Sequence, residues 1–232
     1  DLNATYEQIT WGGLTPVVVT GVTPTITEID KEYAVIHMSY VVESMNDKKS
    51  HYYQVDEYYN VTYNRSSEMV KLLAFDRYQE SFFDSGYISK DRNSISMGVT
   101  NEPAEYVTSE DYGILAFVRL GQLWMYKYND SSLTNIFSYP QDSYSDARTL
   151  NTNLDINIAD MDEDGNIYFV VYGYMNRGVH EGKNGMSLYY YSAESMTTQE
   201  LFFVECDENY DIMKKETGRF TYYNAQTNTF YY

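Results

Sequence analysis

The densest run of metal-ligating side chains is Asp160-Met161-Asp162-Glu163-Asp164-Gly165-Asn166. Alternating carboxylates at Asp160, Asp162 and Asp164 set oxygen ligands on one side of a tight loop, as Ca2+ requires, and Gly165 permits the turn. An EF-hand starting at Asp160 needs a bidentate carboxylate at its twelfth position, where Val171 stands. It also needs flanking helices, and the neighbours read as strands. That excludes the EF-hand. The preferred reading is an Asp-Gly hairpin turn with a solvated acidic edge and no cofactor; the alternative is a Ca2+ loop of another geometry.

A second run, Asn176–Gly185 (NRGVHEGKNG), is long for a hairpin, glycine-rich, and gathers Arg177, His180 and Lys183 in a chain short of cations. A loop of that kind on a rigid sheet is where recognition resides, so these three are the candidate ligand-binding residues; a simple surface loop is the competing reading. Trp124 joins them as a ring able to stack on a sugar, although Trp124 and Trp11 equally suit a core. His37, His51 and His180 have no partner at metal-pair spacing and read as surface or satisfied core groups. Cys206 borders a helix start but reads as a structural thiol. No glycine-rich phosphate loop, G-x-S-x-G elbow or H-E-x-x-H is present, so no catalytic residue is assigned. A glycosidase carboxylate pair stays open, since 34 acidic residues supply many candidates.

The elements that must carry these residues are strands. Tyrosine supplies 27 of the 232 residues, and a ring with a polar tip suits half-buried sheet faces. Residues 14–22, 32–44, 52–63 and 68–75 are rich in Val, Ile and Tyr, and Ala34, Ile36, Met38, Tyr40 and Val42 form one apolar face. Turns at 46–47 and 64–67 complete an antiparallel meander that makes an N-terminal β subdomain to about residue 95. A short helix is expected over 76–84, capped by Asp76, and another short element over 3–13. Residues 84–103 are poor in apolar periodicity and mark the boundary with a repeat region over 96–232.

In that region strands are expected at 112–119, 123–128 and 133–139, then at 156–161, 166–175, 186–192 and 200–205. A helix follows over 207–217, and a last hairpin has strands at 218–223 and 228–232 about a turn near Ala225–Thr227. Self-similarity every 40 to 50 residues or so, with three or four strands per copy, is the pattern of β-propeller blades. Tyr112–Tyr139 (YGILAFVRLGQLWMYKYNDSSLTNIFSY) resembles a blade of bacterial TolB-type propeller modules, and Asp162–Tyr172 (DEDGNIYFVVY) resembles their Asp-Gly-Asn hairpins. The resemblance covers about 105–232 and leaves 1–95 unassigned. It implies a mainly β chain: an antiparallel meander followed by about two and a half propeller-like blades, too few to close a ring.

Lys plus Arg number 16 against 34 Asp plus Glu, a formal net charge of −18. Such a field repels phosphate backbones, so a nucleic-acid partner is not expected. With one cysteine no internal disulfide forms, and no apolar run is long enough to insert in a bilayer. The start at Asp1 reads as a trimmed chain whose leader or anchor has been removed, and an open, Tyr-rich last repeat as the cut end of a longer array. Together these features point to a non-catalytic binding or regulatory module of a bacterial secreted or membrane-anchored protein, extracytoplasmic, with a protein or glycan ligand. The alternatives are a carbohydrate-active enzyme on a propeller-like scaffold and an extracellular regulator of a cell-envelope sensor kinase.

Overall fold

The computed structural model describes residues 5–6, 10–11, 15–46, 49–139, 153–224, 226–227 and 229–232. Strand accounts for 58 % of the described residues, arranged in antiparallel sheets. The described residues fall into two compact units, one within Asp1–Phe82 plus Gly98–Glu102, the other within Phe83–Met97, Pro103–Gln141 and Asn151–Tyr232. Among the described residues the chain passes to the second unit after Phe82 and rejoins the first at Gly98–Glu102.

The first unit is a single five-stranded sheet. Strands β3 (Tyr33–Asn46), β4 (Lys49–Asn64) and β5 (Met69–Ser81) form the expected meander, and β1 (Val17–Val18) and β2 (Thr23–Ile29) both pair with β3. One face alternates as the sequence dictates: Tyr40 lies opposite Val55 and Val42 opposite Tyr53, a small core closed by Trp11. The short helix expected over 76–84 is absent, because β5 continues through Ser81. There Arg77 faces Glu57, Tyr78 faces Asp56 and Gln79 faces Val55. Cross-strand pairing with a strand of matching alternation outweighs the local helix preference. Asp84 caps instead a one-turn 3-10 segment at Ser85–Tyr87, its carboxylate accepting from the Gly86 N–H. The element expected over 3–13 falls mostly outside the described residues.

The second unit repeats one pattern twice. Strands β6 (Tyr106–Thr108), β7 (Ile114–Arg119), β8 (Gln122–Lys127) and β9 (Ser132–Ser138) make one four-stranded meander. Strands β10 (Leu154–Met161), β11 (Ile167–Met175), β12 (Lys183–Ser192) and β13 (Thr197–Glu205) make the other. Ile114, Ala116, Leu123 and Met125 of the first pack on Ile156, Ile167, Phe169 and Val171 of the second, forming the main core. The opposite face of the second sheet, Val170, Tyr172 and Leu188, is covered by Met213 of helix α1 (Tyr210–Phe220) and by Phe230. Asn209 caps α1 by accepting from the Ile212 N–H, so the helix starts and ends about three residues later than 207–217. Its end displaces the strand expected from Gly218. Only β14 (Tyr222–Asn224) and β15 (Thr229–Tyr231) remain, paired with each other, and Tyr223 stacks on Tyr168 at 3.7 Å.

Candidate functional site

Of the segments singled out by chemistry, the loop after β11 is built most deliberately. It is shorter than its composition suggests, since Lys183 already belongs to β12 and pairs with Met175. Gly178 and Gly182 take positive φ of 82° and 88°, a conformation glycine adopts without steric cost. The Gly182 N–H closes the loop on the Met175 carbonyl at 2.8 Å. Tyr139 donates its hydroxyl to the Arg177 carbonyl at 3.1 Å.

Beneath the loop, His180 is clamped from two directions. Its ring stacks on Phe203, centroids 3.9 Å apart and planes at 11°, and Nε2 meets Glu200 Oε1 at 3.0 Å. The same carboxylate oxygen accepts from Ser187 Oγ at 2.6 Å, and Ser187 is fully buried. Burial, then the nearby Glu200 charge, pushes the Tyr189 hydroxyl up to about 12. Gly185 makes room for this arrangement: a Cβ there would stand 2.4 Å from the Phe203 ring. On the rim, Lys183 Nζ holds Glu205 at 2.7 Å.

A Ser, a His and a Glu in contact invite comparison with a catalytic triad, but the order differs. A triad needs the imidazole between hydroxyl and carboxylate, so that it can take the serine proton. Here the carboxylate lies between, and both other groups point at it. The constellation immobilises; it activates no nucleophile. What it presents is Val179, 86 % exposed at the loop tip. Of the predicted site residues, His180 and Lys183 brace this loop from below, whereas Arg177 is turned inward and buried. Trp124 lies elsewhere, on β8, with its ring edge against Phe83 at 5.4 Å and Nε1 donating to Gln122.

The acidic turn is a hairpin turn joining β10 and β11. The Asp162 carboxylate accepts from the Asp164 and Asn166 N–H groups at 3.0 and 2.8 Å and from Asn166 Nδ2 at 2.7 Å. Glu163 accepts from the Glu110 N–H, and Asp160 is raised above the usual carboxylate range by burial. These carboxylates therefore face protein donors. Among the described residues no three His, Cys, Asp or Glu side chains are grouped to hold a metal.

One constellation has no signal in the sequence. Glu105, just before β6, is itself an exposed residue, but its carboxylate end reaches the Ile158 N–H of β10 and accepts from it. Burial pushes it up to about 7, and Asp155 adds to the rise. Asp155 also contacts Tyr172 and lies 3.9 Å from Lys214. Nothing in the run Pro103-Ala104-Glu105-Tyr106 announces a carboxyl that meets a strand some fifty residues on. The chain matches no protein-family model and no curated protein by sequence.

Proposed function

We propose that this chain is a non-catalytic binding or regulatory module of a bacterial extracytoplasmic protein, with propeller-like sheets presenting a recognition loop. The observation that carries the reading is Val179: an aliphatic side chain held in water at the tip of a loop fastened by His180, Gly182 and Lys183. A rigid element bearing an apolar anchor loses little entropy when a partner covers it. The ligand class this favours is a protein or peptide with an apolar pocket rather than a glycan. Two successive meanders of identical strand order, packed face to face, support the propeller-like description and the resemblance to TolB-type blades. The net charge of −18 argues against nucleic acid as the partner.

The test is selection of a displayed random-peptide library against the chain. Peptides should be recovered whose affinity drops at least tenfold on Val179→Asp, with an unchanged melting temperature. Recovered peptides indifferent to Val179→Asp would sink the reading.

A second reading rests on Glu105. A carboxyl raised to about 7 beside Asp155, with Tyr172 and Tyr210 stacked nearby, has the elements of an acid–carboxylate pair for glycoside hydrolysis. Release of nitrophenol from aryl glycosides, abolished by Glu105→Gln, would replace the binding module with this enzyme.

A further inference from the structure

Two short loops of the second unit, residues 89–94 and 109–114, are built alike, bond for bond. In the first, the Ser89 hydroxyl donates to Asp91 Oδ1 at 2.6 Å, and the same oxygen accepts from the Asn93 N–H at 3.2 Å. Ser89 Oγ in turn accepts from the Ser94 N–H. In the second, the Ser109 hydroxyl donates to Asp111 Oδ1 at 2.7 Å, and that oxygen accepts from the Gly113 N–H at 2.8 Å. Ser109 Oγ accepts from the Ile114 N–H. The fourth residue of each loop, Arg92 and Tyr112, is held at φ of 59°, a conformation that bulky side chains rarely adopt. Both side chains are thereby fixed on stiff loops and lifted into water, Tyr112 with 80 % of its surface exposed.

They meet at one cleft. The end of β8 ties the two loops together there: Tyr126 donates its hydroxyl to the Arg92 carbonyl at 3.0 Å, and Tyr128 donates to Asn93 Oδ1 at 2.8 Å. The Tyr128 N–H bonds the Gly113 carbonyl of the second loop. Arg92, Tyr112, Tyr126 and Tyr128 wall a space of about 210 Å3 over Ile95 and Leu115. Pockets for drug-sized ligands begin at roughly 300 Å3, so this one takes a single small ring.

The groups it offers are side chains. The N–H groups of Arg92, Asn93, Ser94, Tyr112, Gly113 and Ile114 are all consumed within the loops, so a peptide would find no main-chain partners on them. Tyr112 and Tyr128 present ring faces that, among the described residues, stack on no other aromatic ring. Such a face covers the C–H face of a saturated ring while the hydroxyls of that ring stay hydrated. Arg92 is engaged in no ion pair among the described residues, although acidic side chains outnumber basic ones 34 to 16. Its planar fork of donors matches a carboxylate.

We infer that this cleft binds an acidic sugar residue, a pyranose bearing a carboxylate, with its ring against Tyr112 and Tyr128 and its carboxylate on Arg92. The inference uses no residue of the proposed recognition loop and stands apart from it.

The experiment is a proton–nitrogen NMR titration of the 232-residue chain with tetramers of galacturonate, of mannuronate and of hyaluronan. Each is run beside its neutral counterpart, in which the carboxyl is reduced to a hydroxymethyl group. At least one acidic tetramer should shift the amides of Arg92, Tyr112 and Tyr128 saturably, and bind at least about tenfold more tightly than its neutral counterpart. Arg92→Gln should abolish that preference, and Tyr112→Ala should weaken acidic and neutral tetramers alike. Lys90→Gln, which removes a neighbouring charge outside the cleft, should change neither. Melting temperatures check that the variants stay folded. No shift with any tetramer, shifts confined to other residues, or a preference that survives Arg92→Gln would overturn the inference. Equal losses with Lys90→Gln and Arg92→Gln, the mark of diffuse attraction, would overturn it too, as would tighter binding of a nucleoside monophosphate.

Discussion

Glu57 is the most demanding carboxylate in the first sheet: buried, it accepts from Arg77 Nε at 2.7 Å and from the Tyr59 hydroxyl at 2.8 Å. Burial and this acceptor push the Tyr59 hydroxyl up to about 12 and hold Tyr40 well above the usual phenol range. Arg77 in turn lies 4.7 Å beneath the Trp11 ring. Arg77→Met keeps most of the volume but leaves the carboxylate without its cation, and is expected to cost about 3 kcal/mol in urea unfolding. Replacing Glu57 and Arg77 together by Gln and Met should cost less than Arg77→Met alone. Glu105 behaves differently. Its folded form keeps its proton up to about 7, whereas the unfolded chain releases it near 4.5. Folding therefore takes up a proton between those values, and this group's contribution is full below the lower one and lost as pH rises through the upper. The melting temperature of Glu105→Gln relative to wild type should accordingly climb from pH 5 to pH 8; a difference that stays constant would show the carboxyl to be ordinary.

At the level of elements, glycines decide where strands approach. Gly173 has φ of 125°, and a Cβ there would stand 2.1 Å from the Asn153 carbonyl oxygen, where β10 begins. Gly173→Ala must push β10 away from β11 and should destabilise by at least about 2 kcal/mol, lowering the thermal midpoint. Gly121, also at positive φ but with open space around it, should tolerate Ala with a loss of about 1 kcal/mol. The sequence made these strands readable wherever alternation was long, as in Ala34–Val42, or wherever a turn was chemically marked, as at Asp162–Gly165. It misled at Asp76–Asp84, where a capping residue and two phenylalanines imitate a helix start. The reason β5 continues there is the partner strand, Gln54–Tyr59, which local reading does not weigh. Thr23–Ile29 was missed because Pro24 and three threonines resemble a loop, although pairing with β3 makes them a strand. For the site, composition pointed to the loop and His180 but not to the clamp, since Glu200 and Phe203 are separated from His180 along the chain and meet it only across the sheet, and Ser187 joins through Glu200.

For the whole molecule, the two four-stranded meanders share a core on their facing sides, while α1 and the β14–β15 hairpin cover only the far face of the second sheet. The core between the sheets contains Leu123, Ile156, Ile167 and Phe169, all sealed from water, and Leu123→Ala there should cost about 3 kcal/mol. The cover is lighter. Tyr222, Tyr231 and Tyr232 remain exposed, and among the described residues β14 and β15 form a two-stranded ladder with no third strand. A two-stranded hairpin has little stability of its own, so it depends on contacts that include the Tyr223–Tyr168 stack and the packing of Phe230 and Tyr232 on Phe202. That asymmetry has a dynamic consequence. The hairpin should detach and reattach many times for each global opening, and its amides should exchange with deuterium through a separate, low-energy event. Tyr223→Ala should speed exchange in Tyr222–Asn224 and Thr229–Tyr231 while leaving the amides of β7, β8 and β11 as slow as before. Equal acceleration throughout would mean that cover and core open as one cooperative unit.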